Sequence, residues 1–558
     1  MFPISVQNFS QLFTSEQLVL YFSMCAINAI VLFYSSIKFI LVLQQCGYRG
    51  KRYFKWLGNK ETPYMSRLML LVLSSVLFFS VLNMTFAPVV GETVASHFGF
   101  MAYLLFLLVY INSESHVNAK VPLKITKRLV RLCITYFILL FAISFGAITL
   151  LNFLAYIIGN EVFALLRYAF ICLIPLLMPY ILFVAYILNE PFEYFIRRHY
   201  IHIAKEKLNR SGVIKIGITG SYGKTSVKEI LRTILSQKFR VLSTPASYNT
   251  PLGIALTARH LDGTHDVFIA EMGARQKGDI KELVELVNPK IGVLTGINNQ
   301  HLESFASQEN IVSTKNELFE FMDKGGLSVF ASDNEFSVQL FNKHEGEKYL
   351  AGLLGENNLV CATDIVTNEK GTTFTLKIKD EPDQKCSTVL LGAHSIKNVC
   401  VAAAVAYKMG LTPSEIAQGI NRIQSIGHRL ELLPNNKNIV IIDDSYNSNV
   451  DGFNSAMEVL DTFSGRKIVL TPGLVELGKQ ENVVNFELGK TLSKHADKVI
   501  VIGKHNAEMI INGLIDGGME KENIKFAKNF NKGNLILNEM MQEGDVVLFE
   551  NDLPDNYN

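Results

Sequence analysis

Residues 214–230, IKIGITGSYGKTSVKEI, leave the surrounding chain little choice of fold. A β-rich run, Val213 to Ile218, enters a tight turn carrying Gly217, Gly220 and Gly223, and Lys224, Thr225 and Ser226 then open a predicted helix. Glycines let backbone come close to a phosphate, and successive N–H groups at a helix N-terminus face the anion. Lys224 can then reach the outer phosphates of ATP, and Thr225 can offer its hydroxyl to Mg²⁺. The Gly217-to-Gly223 spacing is one residue longer than the usual P-loop, so the match is not literal. A plain glycine-rich turn does not call for Gly-Lys-Thr-Ser directly after a strand, so Gly220, Gly223, Lys224, Thr225 and Ser226 are the expected nucleotide contacts.

What precedes this stretch has a different character. Five apolar segments, about 17–43, 67–90, 98–112, 132–158 and 163–188, approach the ~20 residues a helix needs to span a bilayer, the third being short. The N-terminal tail MFPISVQNFSQLF lacks the basic region of a cleavable signal. Lys and Arg gather in the loop after the first segment (Arg49, Lys51, Arg52, Lys55, Lys60) and after the third (Lys120, Lys124, Lys127, Arg128, Arg131). The tail and the loops 91–97 and 159–161 have none. This alternation puts the N-terminus outside and the C-terminus inside, with the P-loop facing cytosolic ATP.

The expected organisation is an α-helical membrane domain over 1–190, a basic juxtamembrane linker over 191–212, and then α/β domains. The linker, PFEYFIRRHYIHIAKEKLNRSG, mixes aromatics with Arg197, Arg198, Lys205, Lys207 and Arg210. It reads as a helix lying on anionic headgroups, with a site for an anionic lipid-linked substrate as the alternative. Arg167, toward the outer end of the fifth segment, reads as a snorkelling residue or an intramembrane site.

From Val213 onward, the short runs IKIGIT, DVFIAEMG, KIGVLTGI, VLLGAH, NIVIIDD, RKIVLTPG, KVIVIG and DVVLFEN alternate with helical patterns, which predicts parallel sheets covered by helices. A break near Gly427-His428-Arg429 divides an ATP-binding central domain, 213–426, from a Rossmann-like C-terminal domain, 427–558. The stretch 345–390 is more β-like. Glu271 closes the strand VFIA, where a carboxylate can hold Mg²⁺ opposite the P-loop; His301 occupies the equivalent place after the next strand, and Lys315 falls on a helix. By themselves, His301 and Lys315 read as a structural histidine and a surface lysine. With 53 basic against 51 acidic residues, no nucleic-acid footprint is expected. Seven cysteines without a CxxC pair suit a reducing compartment and no zinc site.

Nine motifs follow one another in a fixed order: TGSYGKTSVKE (219–229), YNTPLGI (248–254), EMGARQKGDI (271–280), QHLESFAS (300–307), STKNELF (313–319), GAHSIKN (392–398), GHRLE (427–431), DDSYNSN (443–449) and VELG (475–478). Together they resemble the Mur ligase family, the ATP-dependent amide ligases of peptidoglycan synthesis, and most of all its D-alanyl-D-alanine-adding branch. The resemblance implies that ATP phosphorylates a carboxylate to an acyl phosphate, which an amine attacks to give an amide, ADP and phosphate. By position, Lys224 would bind the β/γ-phosphates, Thr225 and Glu271 a first Mg²⁺, and His301 a second. Lys315 sits where many members carry a carbamylated lysine. Asn398 would meet the adenine, and Arg429 with Asp444 the ribose or phosphates. The sequence departs from the family in three ways. Apolar segments stand where the UDP-sugar-binding domain is expected, the end GDVVLFENDLPDNYN lacks a Lys-Gly-Ser-type motif, and Asn249-Thr250 replaces a pair of asparagines. The resemblance therefore implies the same chemistry on a cell-envelope carboxylate substrate, lipid-linked or membrane-proximal, with an amino-acid or peptide amine donor.

Overall fold

The computed structural model describes residues 14–58, 64–115, 122–158, 162–298, 305, 307–434, 438–446, 449–475 and 477–551. They form two compact units, Met1–Ile196 and Arg197–Asn558.

The first unit is helical: α1 (Ser15–Ser35), α2 (Ile37–Gln45), α3 (Gly50–Leu57), α4 (Tyr64–Val90), α5 (Glu92–Ser115), α6 (Lys127–Ile158) and α7 (Val162–Arg210). Among the described residues four helices are long and apolar enough to cross a membrane, Ser15–Ser35, Met65–Val90, Lys127–Ile158 and Phe170–Arg210; a fifth apolar helix, His97–Ser113, is shorter. The first expected segment is broken at Ser36. Its hydroxyl turns back to Leu32 O at 2.6 Å and meets Tyr136 OH at 2.6 Å, a side-chain competition that bends helices. Polar groups inside this unit find one another: Tyr103 OH donates to Asn28 Oδ1 at 3.1 Å, and Asn28 Nδ2 to Ser144 Oγ at 3.2 Å. Arg131 forks onto both carboxylate oxygens of Glu193 at 2.6 and 2.9 Å. The side chain of Arg167 lies outside the described residues.

In the second unit the strands appear as expected, with one exception. A nine-stranded sheet runs in the order β2 (Val241–Ser243), β3 (Val267–Glu271), β1 (Ile214–Thr219), β4 (Ile291–Leu294), β5 (Leu327–Ala331), β6 (Glu347–Ala351), β7 (Asn358–Asn368), β8 (Gly371–Ile378), β9 (Gln384–Thr388). Its pairings are parallel through β7, and β7, β8 and β9 are antiparallel neighbours, which accounts for the β-like stretch near 345–390. The run VLLGAH is not a strand. The strand ends one residue earlier, and Leu390 and Leu391 are instead buried on the approach to the helix Gly392–Lys408. A short apolar run by itself does not separate a strand from a buried connection.

Six further strands form a second sheet in the order β10 (Glu431–Leu433), β11 (Val440–Asp444), β15 (Val546–Glu550), β12 (Lys467–Thr471), β13 (Lys498–Ile502), β14 (Ile524–Ala527), parallel except for β10 against β11. Strands β1, β3 and β4 are neighbours, so their carboxyl ends, carrying the P-loop, Glu271 and Thr295, open on one crevice.

Candidate active site

The P-loop is built as the glycine spacing requires. Gly223 has a φ of +75°, and a Cβ there would lie 2.7 Å from Asn398 Oδ1. At Gly220 a Cβ would be driven into the Thr295 hydroxyl. Gly223 is also the N-cap of the helix Lys224–Leu235 (α8), and no side chain caps it. The first-turn N–H groups therefore have no intrahelical acceptor and are available to an anion.

Lys224 folds back over the loop, donating to Gly220 O at 2.8 Å and Ser221 O at 3.0 Å. Burial pushes its pKa down to about 8, with the nearby Glu271 opposing that shift and Arg429 adding to it. Thr225 donates its hydroxyl to Glu271 Oε2 at 2.9 Å, and Asn249 Nδ2 donates to Oε1 at 3.1 Å. Glu271 is 1% exposed, yet both oxygens are bonded. Lys228, fully buried, has its Nζ 3.3 Å from Glu271 Oε2, 3.4 Å from Glu229 Oε1, and bonded to Ala246 O. Lys228 thus places its ammonium directly beside a buried carboxylate.

Sequence reasoning passed over Lys228. Helical spacing could have found it, because a residue three after Thr225 and four after Lys224 shares their face.

The hydroxyl of Thr225 beside the carboxylate of Glu271 is a hard-oxygen pair, the donor chemistry Mg²⁺ takes when phosphate oxygens and waters complete its shell. Among the described residues no group of three or more His, Cys, Asp and Glu could hold a metal ion. His301, the expected second ligand, lies outside the described residues. Lys315 is on the helix Gln308–Phe321 and only 3% exposed. Burial above all, then the neighbouring Lys224, pushes its pKa down to about 7, while Asp279 and Glu317 pull the other way. The reading of Lys315 as a surface lysine is therefore corrected, since the helix face that carries it turns into the core.

Asn398, Arg429 and Asp444 come together with Gly223 and Ser226 around one small cleft between the two sheets. Arg429 lies over the Tyr446 ring at 4.8 Å. Asp444 accepts from Leu430 N at 3.1 Å, and burial raises its pKa to about 6. A larger cavity of about 370 Å³ adjoins it, lined among others by Thr225, Glu229, Arg232, Ser247, His428 and Arg429.

A family model described as the Mur ligase middle domain matches residues 218–406, and one described as the Mur ligase glutamate ligase domain matches residues 428–550. The chain belongs to the Mur ligase family. Members are ATP-dependent, ADP-forming ligases. The chain is 28% identical over 351 residues to the UDP-N-acetylmuramoyl-tripeptide–D-alanyl-D-alanine ligase of Bacillus subtilis (strain 168), covering 62% of this chain and 75% of that one. To its namesake from Escherichia coli (strain K12) it is 29% identical over 295 residues, covering 52% and 65%. The chain thus spans about two thirds of the Escherichia relative and three quarters of the Bacillus one. A solved MurF ligase from Thermotoga maritima in complex with ADP superposes with a TM-score of 0.56 at 25% identity, over 64% of this chain and 80% of that one. MurF from Acinetobacter baumannii, at 22% identity and a TM-score of 0.58 over 65% and 78%, shares the fold.

Proposed function

We propose that this Mur ligase joins an amine donor to a carboxylate of a cell-envelope precursor at the cytoplasmic face of a membrane, through an acyl phosphate. The cluster of Lys224, Thr225 and Glu271 at the P-loop carries the reading. Lys224 leaves the loop carbonyls for the β/γ-phosphates, and the uncapped N-terminus of α8 receives phosphate oxygens. Thr225 and Glu271 would hold Mg²⁺, which would neutralise charge on the transferring phosphoryl group. Asn398 would contact the adenine, and Arg429 with Asp444 the ribose or phosphates, so the two sheets close around ATP.

Lys315 is the proposed carbamylation site. A buried lysine with a pKa of about 7 holds a substantial share of its amine in the neutral form at physiological pH. Adding CO₂ to that nitrogen releases one proton and leaves a carbamate anion able to support a metal.

The helices of the first unit, by length and composition, fit a membrane anchor with the N-terminus outside and the ligase domains in the cytoplasm. A membrane-proximal or lipid-linked precursor is the acceptor this arrangement favours. Mass spectrometry of lipid extracts and nucleotide pools from cells lacking the protein tests this. Accumulation of a lipid-linked carboxylate supports it, whereas accumulation of UDP-N-acetylmuramoyl-tripeptide alone makes the protein a tethered D-alanyl-D-alanine-adding ligase. The names of the Bacillus and Escherichia relatives favour that second reading.

A further inference from the structure

A cavity of about 370 Å³ adjoins the cleft of Asn398, Arg429 and Asp444 and shares Arg429 and Tyr446 with it. Its volume is at the lower end of small-molecule sites. Thr225 marks its reactive end, and Glu229 and Arg232, one anion and one cation 3.0 Å apart on the same helix, form a wall. His428, also in the lining, sits in the left-handed backbone region. Its φ is +60°, its N–H donates to Glu431 Oε2 at 3.0 Å, and its carbonyl accepts from Tyr446 N at 3.2 Å. A left-handed non-glycine residue fixed at both ends is strain of the kind found at functional sites.

The ring is fixed as well. His428 Nδ1 lies 2.7 Å from Asp443 Oδ2, and the side chain is 63% exposed. A carboxylate partner requires Nδ1 to carry a proton, which leaves Nε2 of the neutral ring with a free lone pair. We propose that this cavity is the amine-donor site, taking an amino acid or short peptide as its ammonium form, and that His428 Nε2 is the base that removes the ammonium proton, with Asp443 as the positioning residue.

The proposal rests on the ligase reading and completes its chemistry. His428 takes one proton from R–NH₃⁺, and the free amine nitrogen forms a bond to the acyl carbon. The C–O bond to phosphate breaks, and the second nitrogen proton leaves with the phosphate as HPO₄²⁻. The balance is one amide, one phosphate and one proton, the last held by His428 and passed to water. Glu229 is placed to attract the ammonium, and Arg232 a donor carboxylate.

Hydroxylamine separates the two halves of the reaction, because it is unprotonated at neutral pH and needs no base to attack an acyl phosphate. Full-length protein is given ATP, Mg²⁺ and, in parallel, UDP-N-acetylmuramoyl-tripeptide or the lipid-linked carboxylate isolated from cells lacking the protein, with hydroxylamine, D-alanyl-D-alanine or each of the twenty amino acids, and product is read by mass spectrometry. His428→Asn, which keeps a residue tolerant of φ > 0, should lose amide formation by about 10²–10⁴-fold while hydroxamate formation stays within about threefold of wild type. Asp443→Asn should shift the same ratio in the same direction. Amide and hydroxamate falling together, or neither falling, overturns the role of His428. Wild type that makes hydroxamate but no amide from any donor overturns the donor site. Wild type that makes neither product from either acyl substrate overturns the ligase reading, and this proposal with it.

Discussion

Thr225 and Lys228, one turn apart on the same helix, converge on a single oxygen, Oε2 of Glu271, at 2.9 and 3.3 Å. The lysine ammonium stands beside the carboxylate that a divalent cation would share, so the site is charge-balanced before any metal arrives. Removing one partner leaves an uncompensated buried charge, which costs about 3–5 kcal/mol. Lys228→Met should therefore unfold at a lower temperature than wild type and gain more from added Mg²⁺, since a ligand that binds only the native state stabilises it by mass action. Thermal unfolding with and without Mg²⁺ checks both; an equal Mg²⁺ response in the two proteins would show that Glu271 is not a metal ligand.

Among the described residues the bonds of Lys224 go to the carbonyls of Gly220 and Ser221, which a phosphate can replace. Truncation removes a positive charge aimed at the transferring phosphoryl group, a loss of about 10²–10³ in kcat for such a donor. Lys224→Ala should show it in ADP release, and near-normal turnover would remove this lysine from the mechanism.

The same lysine makes nucleotide binding depend on pH. With a pKa of about 8 in the free protein, it is charged below that value and neutral above it. ATP favours the charged form, so affinity should be nearly flat from pH 6 to 7.5 and fall as the pH rises through 8 toward 9.5. Calorimetric titrations of wild type and Lys224→Arg measure it: the arginine keeps its charge throughout, and a variant curve that falls just as steeply would place the effect elsewhere.

Carbamylation requires the neutral amine of Lys315, whose pKa of about 7 makes that form dominant above neutrality. Stimulation by added bicarbonate should be weak at pH 6 and stronger at pH 8, and Lys315→Ala should regain part of its activity with a small carboxylate. If ligase assays respond to neither, Lys315 acts as an unmodified lysine.

The orientation is tested by labelling. A membrane-impermeant maleimide should reach Ser10→Cys in intact cells, and Lys55→Cys, on the exposed side of α3, only after permeabilisation. The reverse pattern would place the ligase domains outside.

How much of this was written in the sequence varies by element. The P-loop was legible because its geometry is local: a strand, glycines at fixed offsets and a helix start do not depend on distant residues. Glu271 was legible for a similar reason, as the last residue of a strand. Family membership followed from the order of nine motifs. The strand expected at VLLGAH was misread because hydrophobicity reports burial, and burial of Leu390 and Leu391 is equally served by a connection. Lys315 could not be told from a surface lysine, since its burial is set by packing of residues far away in the chain.

The sequence by itself determined the strand, glycine turn and helix start of the P-loop, which half is apolar, and the family. Only the tertiary structure decided which charged side chains meet in the site. Lys228 is fully buried beside Glu271, and His428 is held at φ +60° with its ring on Asp443, because strands far apart in sequence lie side by side. The lowered pKa values of Lys224 and Lys315 come from burial first and then from charges a few ångströms away. Those distances exist only once the chain has folded.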